Sequence, residues 1–295
     1  MKRSKFKITR TKIMTPNELI TKGSNFLKQN NIKSHMLDSE LILSSVTGKQ
    51  REDFLLKDDF KLNLKQIKSF NDLISRRALL KEPIAYLTNK KEFWSIKFNV
   101  NKAVLIPRPE TEILVEKIIK YYKGRNPFIL DIGTGSGCII ISLLREFKKS
   151  KGIAIDISNK ALNIAKRNSI NYDTFDRLKF INSSISTFDR FKFDIIVSNP
   201  PYIAQHQLKN LDKDIKNFEP KIALNGGNDG LDVVRKVIYK SRKILKINGM
   251  LALEIGNGQY KKVSQILKLN KFREKFFIKD FRDNIRCIFS VLDHY

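Results

Sequence analysis

The sequence predicts an α/β protein: a mostly parallel sheet with helices on both faces, preceded by a small helical bundle. Two observations carry this. From residue 128 onward, short apolar runs at 128–132, 153–155, 178–181, 193–197, 250–255 and 287–292 alternate with helical patterns at 137–149, 158–169, 230–246 and 259–269. Such alternation implies βαβ units, whose crossover helices cover both faces of a parallel sheet. Over residues 15–80, by contrast, no β-rich segment interrupts the helical periodicity.

The elements follow in order. Thr15-Pro16-Asn17-Glu18 has the spacing of a capping box, with proline at the first helical position, where a missing N–H costs nothing. Leu19, Ile20, Phe26 and Leu27 then fall on one face. A second apolar set, Leu37, Leu41, Ile42 and Val46, closes at Gly48, a residue that accepts the backbone of a helix end. A third uses Leu64, Ile67, Phe70, Leu73 and Ile74, which completes a bundle over 14–81. The segment 92–100 (EFWSIKFNV) is rich in aromatic and β-branched residues and reads as a strand. With Tyr86-Leu87-Thr88 before it and Asn89-Lys90-Lys91 as the turn, it forms a predicted hairpin inside a linker at 82–106. Ile106-Pro107-Arg108-Pro109-Glu110 opens a helix that runs to about Tyr122, and the sheet domain occupies 107–295.

Composition excludes several classes. The 295 residues, 41% of them hydrophobic, suffice for one large domain or two smaller ones. Two cysteines, Cys138 and Cys287, build neither a disulfide scaffold nor a four-cysteine zinc site. His35, His206 and His294 lie far apart in sequence, so no protein-held metal is expected. No apolar run reaches the roughly 18–20 residues of a membrane span, and no secretory leader pattern is present; a cytoplasmic protein without membrane attachment is expected. The net charge of +27 has two readings. One is an anionic partner such as a nucleic acid. The other is compositional drift, which the even spread of lysines along the chain favours. Residues 1–13 hold six basic and no acidic side chains and are expected to be a disordered or non-native extension without function.

Two motifs carry chemistry. Asp131-Ile132-Gly133-Thr134-Gly135-Ser136-Gly137 ends the first sheet strand and opens a helix. Its glycines permit a tight turn and let a ligand approach the backbone. Cys138 stands where a dinucleotide fingerprint would place its last glycine, which argues against NAD. Asp156 ends the second strand, where a carboxylate can accept both hydroxyls of a ribose. Together they form the layout of a nucleoside-binding site, and the Asp-x-Gly-x-Gly-x-Gly form resembles that of class I S-adenosylmethionine-dependent methyltransferases. The second motif is Asn199-Pro200-Pro201-Tyr202, directly after the strand at 193–197. Successive prolines fix the backbone, and Pro200 has no amide hydrogen. The Asn199 side-chain oxygen and the Pro200 carbonyl become two preset acceptors suited to a planar NH2 group, with Tyr202 offering a flat face. Such a group occurs on adenine and cytosine and on the glutamine side chain.

These motifs, in order, resemble those of the HemK/PrmC protein-(glutamine) methyltransferases, which modify peptide-chain release factors. The resemblance covers nearly the whole chain from about residue 15. It is carried by Asp38-Ser39-Glu40-Leu41-Ile42-Leu43, by Glu82-Pro83-Ile84-Ala85-Tyr86-Leu87 followed by Glu92-Phe93-Trp94, and by Leu105-Ile106-Pro107-Arg108-Pro109-Glu110-Thr111-Glu112. Asn199 to Tyr202, Phe218-Glu219-Pro220 and Ala223-Leu224-Asn225-Gly226-Gly227-Asn228-Asp229-Gly230 complete it. The resemblance implies a Rossmann-like, mostly parallel seven-stranded sheet with an N-terminal helical domain that helps grip the substrate protein. It implies S-adenosyl-L-methionine as cofactor and the glutamine of the Gly-Gly-Gln motif in class 1 release factors as the methylated residue. Gly133, Thr134, Gly135, Ser136 and Gly137 then line the cofactor, Asp156 holds its ribose and Ile185 packs its base, although Ser184 stands where an acid is expected. Asn199 borders cofactor and substrate, and Asn199, Pro200, Pro201 and Tyr202 hold the glutamine amide, with Asn199, Pro200 and Tyr202 as the catalytic set. The segment at Pro107, Arg108, Pro109 and Glu110 shapes the pocket entrance, and Phe93 and Trp94 are candidates for its wall.

A monomer without a stable nucleic-acid complex is expected. The alternative is a nucleic-acid exocyclic-amino methyltransferase of the Asn-Pro-Pro-Tyr type, which the charge of +27 favours. A third reading is a cofactor-binding regulator of translation without transferase activity.

Overall fold

The computed structural model describes residue 6 and residues 14–56 and 61–293. Apart from Phe6, the basic extension at 1–13 lies outside the described residues, as does His294. The chain divides into two compact units, one reaching to Asn89 and including Asp212–Phe218, the other comprising Lys90–Leu211 and the remainder from Glu219.

The first unit is helical: α1 (Pro16–Gln29), α2 (His35–Thr47), α3 (Asp53–Leu56), α4 (Leu64–Ser75), a π-helical turn at Arg76–Leu80, and α5 (Ile84–Thr88). The capping box forms as predicted, with Thr15 Oγ1 accepting from the Glu18 amide at 3.2 Å and Glu18 Oε2 accepting from the Thr15 amide at 3.1 Å. Gly48 ends α2 at φ +73°. Leu19, Leu27, Ile42, Leu43, Phe70 and Ile74 are fully buried and form the core. The face of α2 differs from the apolar stripe read in sequence. Leu37 is exposed, and the buried positions are Asp38, Ser39, Ile42 and Leu43. The reason is polar pairing: Arg77 Nε donates to Asp38 Oδ2 at 2.6 Å, and the Ser39 hydroxyl donates to the Ile20 carbonyl at 2.8 Å. These partners lower the cost of burying a carboxylate and a hydroxyl.

The second unit opens with a hairpin, β1 (Lys90–Phe93) and β2 (Ile96–Asn99). Its turn is Trp94-Ser95, both at positive φ (52° and 57°), not Asn89-Lys90-Lys91, and Tyr86-Leu87-Thr88 lie in α5. Pro83 is the N-cap of α5, its carbonyl accepting from the Tyr86 and Leu87 amides at 3.0 and 3.1 Å. A two-residue turn with both residues left-handed matches the strand twist, but Trp-Ser lacks the glycine or asparagine that usually announces it. Side chains from elsewhere hold it: Glu112 Oε1 accepts from the Trp94 amide at 3.2 Å and Glu146 Oε1 from the indole N–H at 2.9 Å.

Then come α6 (Pro109–Tyr121), β3 (Ile129–Ile132), α7 (Cys138–Glu146), β4 (Gly152–Asp156), α8 (Asn159–Asn171), β5 (Leu178–Asn182) and β6 (Phe193–Ser198). The short α9 (Lys213–Phe218) groups with the first unit, and α10 (Asp232–Ile244), β7 (Leu245–Glu254), α11 (Tyr260–Leu269), β8 (Phe272–Lys279) and β9 (Ile285–Leu292) follow. The seven-stranded sheet has the order β5-β4-β3-β6-β7-β9-β8. β5, β4, β3, β6 and β7 are parallel, and β9 runs antiparallel to both neighbours. Leu130 and Ile132 of β3 share a core with Val234, Val237 and Ile238 of α10 and Val263 and Leu267 of α11. β8 escapes the sequence reading; of its residues, FREKFFIK, only Phe272 is buried.

Asn168 of α8, fully buried, joins three backbone segments. Its Oδ1 accepts from the Asn99 amide at 2.8 Å, and its Nδ2 donates to the Asn99 carbonyl at 3.0 Å and the Ser136 carbonyl at 2.9 Å. The hairpin and the glycine loop are thereby fastened to one helix.

In the bundle, α1 and α2 approach closely at Gly23, where an added Cβ would meet Ser39 Oγ at 2.6 Å and the Phe70 ring at 2.7 Å. Gly23→Ala gains about 1 kcal/mol in helix propensity but overpacks a core contact at a cost of about 1–3 kcal/mol. We expect a net loss of stability, read as a lower denaturation midpoint in urea; an unchanged or raised midpoint would refute the close packing.

Candidate active site

Strand order reverses between β3 and β6, and the loops after these strands diverge there. Open parallel sheets bind ligands at such a switch point, outside the strand carboxyl ends. A cavity of about 430 Å³ occupies this place. Its wall includes Gly133, Thr134, Gly135 and Ser136 after β3, Asp156 and Ile157 after β4, Ser184 and Ile185 after β5, and Asn199 and Pro201 after β6. One cavity therefore gathers the two motifs that the sequence holds more than sixty residues apart.

The glycine loop is shaped for a close ligand. Gly133 and Gly135 have φ of +72° and +55°, and an added Cβ at Gly133 would meet nothing within 4 Å, so the space over the backbone is open. Gly137 is a different case. It is not in the cavity wall, and a Cβ there would strike Ile141 at 2.8 Å and Ala165 at 3.2 Å. It serves helix packing.

Asp156 Oδ2 accepts from the Gly135 amide at 3.0 Å and Oδ1 from the Ser158 amide at 2.9 Å. Each oxygen keeps a second lone pair, so two acceptor sites remain for a pair of ligand hydroxyls. Burial raises the pKa of this carboxyl while the backbone amides oppose the rise. Ile185 is buried in the wall, and Ile157, which sequence reasoning passed over, is an exposed apolar side chain in the same wall. Open glycine backbone, a carboxylate with free lone pairs and two isoleucines fit the parts of a nucleoside ligand. Among the described residues no cluster of metal-binding side chains occurs, and no helix is long and apolar enough to cross a membrane.

The Asn-Pro-Pro corner stands on the end of β6. Asn199 is half-buried and Pro200 buried. Asn199 Nδ2 donates to Thr111 Oγ1 at 3.2 Å. Neither Asn199 Oδ1 nor the Pro200 carbonyl has a hydrogen-bond partner among the described residues. Pro200 and Tyr202 are absent from the cavity wall. The Tyr202 hydroxyl donates to Glu254 Oε1 at 3.4 Å, and its carbonyl accepts from Gln259 Nε2 at 2.9 Å, so Tyr202 braces the corner from behind.

The corner is also clamped by the segment at 225–230. Ile203 and Gly226 exchange backbone contacts with their neighbours, the Ile203 amide donating to the Leu224 carbonyl at 3.1 Å and the Gly226 amide to the Ile203 carbonyl at 2.9 Å. A Cβ at Gly226 would sit 2.8 Å from the Pro201 carbonyl, and one at Gly230 would sit 2.4 Å from that of Tyr202. The glycines of this motif therefore admit the loop.

At the rim, Arg108 Nη2 donates to Glu219 Oε1 at 2.6 Å, joining Pro107 and Arg108 to the Pro220, Lys221 and Ile222 side of the wall. Pro107 and Arg108 belong to the wall, whereas Pro109 and Glu110 do not. Phe93 and Trp94 are not in it either: Phe93 is buried edge-on against Phe98, their ring centroids 6.1 Å apart.

Sequence reasoning also missed Thr111 and Glu254. Both are buried, and the Thr111 hydroxyl donates to Glu254 Oε2 at 2.6 Å. The available signal was an acid closing the apolar run Met250-Leu251-Ala252-Leu253-Glu254.

Comparison with solved structures places this sheet in a class. The hMettl16 catalytic domain in complex with MAT2A 3'UTR hairpin 6 matches with a TM-score of 0.55 at 16% identity, over 76% of this chain and 83% of that one. A methyltransferase from Pyrococcus furiosus matches with a TM-score of 0.51 at 16% identity, over 67% of this chain and 89% of that one. At such identity the likeness concerns the fold alone, which is that of the class I S-adenosylmethionine-dependent methyltransferases. Residues 109–217 match the methyltransferase small domain and residues 18–88 the PrmC N-terminal domain.

Relatives narrow the class. The release factor glutamine methyltransferase of Clostridium acetobutylicum is 38% identical over 93% of this chain and 97% of its own length, and that of Caulobacter vibrioides is 34% identical over 92% and 94%. A bifunctional methyltransferase of Rickettsia prowazekii is 38% identical over 92% of this chain, which spans 56% of that longer protein. The chain belongs to the release factor glutamine methyltransferase family.

Asp131, at the root of the glycine loop, is fully buried; Thr134 Oγ1 donates to its Oδ2 at 2.7 Å, while its Oδ1 lacks a partner among the described residues. Burial pushes this carboxyl up to about 7, against the pull of the Thr134 hydroxyl. An acid raised in this way adds its full stability below the ordinary carboxylate range and loses it as pH rises through the native value. Asp131→Asn should therefore melt higher than the unmodified protein at pH 8, with a smaller difference at pH 5. Equal differences at both pH values, measured by calorimetry, would contradict a raised native pKa.

Proposed function

We propose that this chain transfers the sulfonium methyl of S-adenosyl-L-methionine to the side-chain amide nitrogen of the glutamine in the Gly-Gly-Gln motif of class 1 peptide-chain release factors. The observation that carries the reading is the pair of unclaimed acceptors, Asn199 Oδ1 and the Pro200 carbonyl, on a corner whose Asn199 and Pro201 line the same cavity as the glycine loop and Asp156. The names of the relatives supply the class of substrate.

When bound, the cofactor supplies an electrophilic methyl group. Gly133, Thr134, Gly135 and Ser136 give it backbone at close range, with Gly137 closing the turn. Asp156 takes two ribose hydroxyls on its spare lone pairs, and Ile185 and Ile157 flank the base. Asn199 Oδ1 and the Pro200 carbonyl accept the two N–H bonds of the glutamine amide. This orientation turns the face of the nitrogen toward the methyl donor, and the two hydrogen bonds raise its electron density. Pro201 walls the carboxamide, and Tyr202 keeps the corner from yielding. Near-attack alignment of this kind lowers the barrier without new covalent chemistry on the protein. No base is needed before transfer, since the nitrogen becomes acidic once methylated and releases its proton to solvent. The helical unit is assigned the grip on the release factor, and the enzyme acts as a monomer.

Incubation with a release factor and labelled cofactor, followed by peptide mass spectrometry, should locate one methyl group on one glutamine. The net charge of +27 favours a nucleic acid as the competing substrate; label in RNA or DNA but not in the release factor would reverse the assignment. Asn199→Ala should lower turnover about 10²–10³-fold, as loss of one preorganised polar contact does, and near-normal turnover would overturn its role. Asp156→Ala should weaken cofactor binding about 10–100-fold in titration calorimetry, the range for losing hydrogen bonds to a charged group; unchanged affinity would remove it from the site.

A further inference from the structure

From Thr111 in the cavity wall, a hydrogen-bonded chain that the proposed transfer does not use directly runs to the buried Glu254. Thr111 comes from the first turn of α6, Glu254 from the end of β7 and Asn199 from the end of β6. Thr111 is 1% exposed and Glu254 2% exposed. Thr111 Oγ1 lies 2.6 Å from Glu254 Oε2 and 3.2 Å from Asn199 Nδ2. The Tyr202 hydroxyl occupies the other carboxylate oxygen at 3.4 Å.

We propose that Thr111 and Glu254 are positioning residues that decide which end of the Asn199 carboxamide faces the cavity. The inference rests on the reading that Asn199 accepts from a substrate NH2 group. A side-chain amide has an oxygen end and a nitrogen end of nearly the same shape, so sterics alone do not choose between them. Hydrogen-bond polarity does. A carboxylate can only accept, so the single hydroxyl proton of Thr111 goes to Glu254. Thr111 then offers only lone pairs to Asn199. The NH2 end of Asn199 must meet them, which leaves Oδ1 for the guest.

Protonating Glu254 reverses this logic. Its hydroxyl can donate to Thr111, the threonine proton becomes free to point at Asn199, and the amide can turn its NH2 end to the cavity, donor against donor. Burial pushes the Glu254 carboxyl up to about 7, with Thr111 and Arg286 opposing and Glu110 assisting the rise. Tyr202, Arg286, Glu110 and the thiols of Cys138 and Cys287 are the other titratable groups that face it. Burial also raises the pKa of Tyr202, Cys138 and Cys287, which keeps them neutral across this range. Turnover should thus fall as pH drops through the Glu254 value.

The test compares the unmodified chain, Thr111→Val, Thr111→Ser, Glu254→Gln and Asn199→Ala with a release factor as substrate. Thr111→Val keeps the volume and removes the hydroxyl. It should lower kcat by about 10²-fold, the scale of a misplaced reacting group, with a much smaller change in cofactor affinity, as for an interaction that acts on the reacting group. Thr111→Ser should restore most of kcat, and Glu254→Gln should be slow with the acidic fall in kcat abolished. A Thr111→Val enzyme with unimpaired kcat beside an inactive Asn199→Ala enzyme would overturn the positioning role and leave the proposed reaction standing. Equal loss in Thr111→Val and Thr111→Ser would point to packing and also overturn it. A readout independent of turnover is the side-chain amide signal of Asn199 in protein labelled with 15N at asparagine, identified by its absence from Asn199→Ala. It should shift with pH through the Glu254 titration in the unmodified chain and stay flat in Thr111→Val. A signal that ignores pH in both would refute the coupling, whatever the protein methylates.

Discussion

The constraint on which the site depends is the reversal of strand order between β3 and β6. Parallel pairing places Ile132 of β3 beside Ser198 of β6 and beside Ile155 of β4. The residues that follow these strands therefore emerge at one edge, within reach of one ligand. Glycine loop, the strand-end acid Asp156 and the Asn-Pro-Pro corner are brought to one edge by backbone register, and long-range side-chain bonds then hold them there. Hydrophobic burial then fixes the register, because a one-residue slip would turn Leu130 and Ile132 away from the core they share with α10 and α11.

Rigidity at the corner is imposed from outside it. The prolines limit the dihedral freedom of the loop, but its position comes from Gln259 on one side and the glycine-rich segment at 225–230 on the other. Polar groups complete the frame: Arg108 with Glu219 at the rim, and Thr111 with Glu254 beneath the asparagine. A carboxylate buried to this degree is costly unless each oxygen is satisfied. Glu254 meets that condition with two hydroxyls, both of which belong to residues adjoining the cavity or the corner.

Much of this was legible in the sequence, and the omissions have physical causes. The capping box at Thr15, the parallel strands and the glycine loop are local patterns, and local patterns survive translation into structure. The hairpin turn falls at Trp94 and Ser95, which carry no usual turn signal, and Trp94 is held there by distant carboxylates, Glu112 and Glu146, which no short window contains. The buried face of α2 was misjudged because Asp38 is neutralised by Arg77, thirty-nine positions away. β8 is hard to read because its apolar residues do not alternate: Phe276, Phe277 and Ile278 are consecutive, and the face that packs Phe272 and Phe276 also carries Glu274. In the site, the residues that offer backbone or carboxylate to a ligand were read from motifs. Thr111 and Glu254 were not, since their role arises only when α6, β6 and β7 meet.

Asn168 shows how unevenly chemical change is tolerated in such a frame. Its amide gives two hydrogens to carbonyl oxygens and accepts two from Asn99, using both ends of the group in a buried place. Deamidation would exchange one NH2 for oxygen, altering the mass by a single unit and the volume hardly at all. It would nevertheless set an anion against the carbonyls of Asn99 and Ser136, where hydrogens had stood. An ageing lesion invisible to shape would then be felt at the glycine loop, through a bond that the exposed Asn159, Asn163 and Asn171 of the same helix do not make.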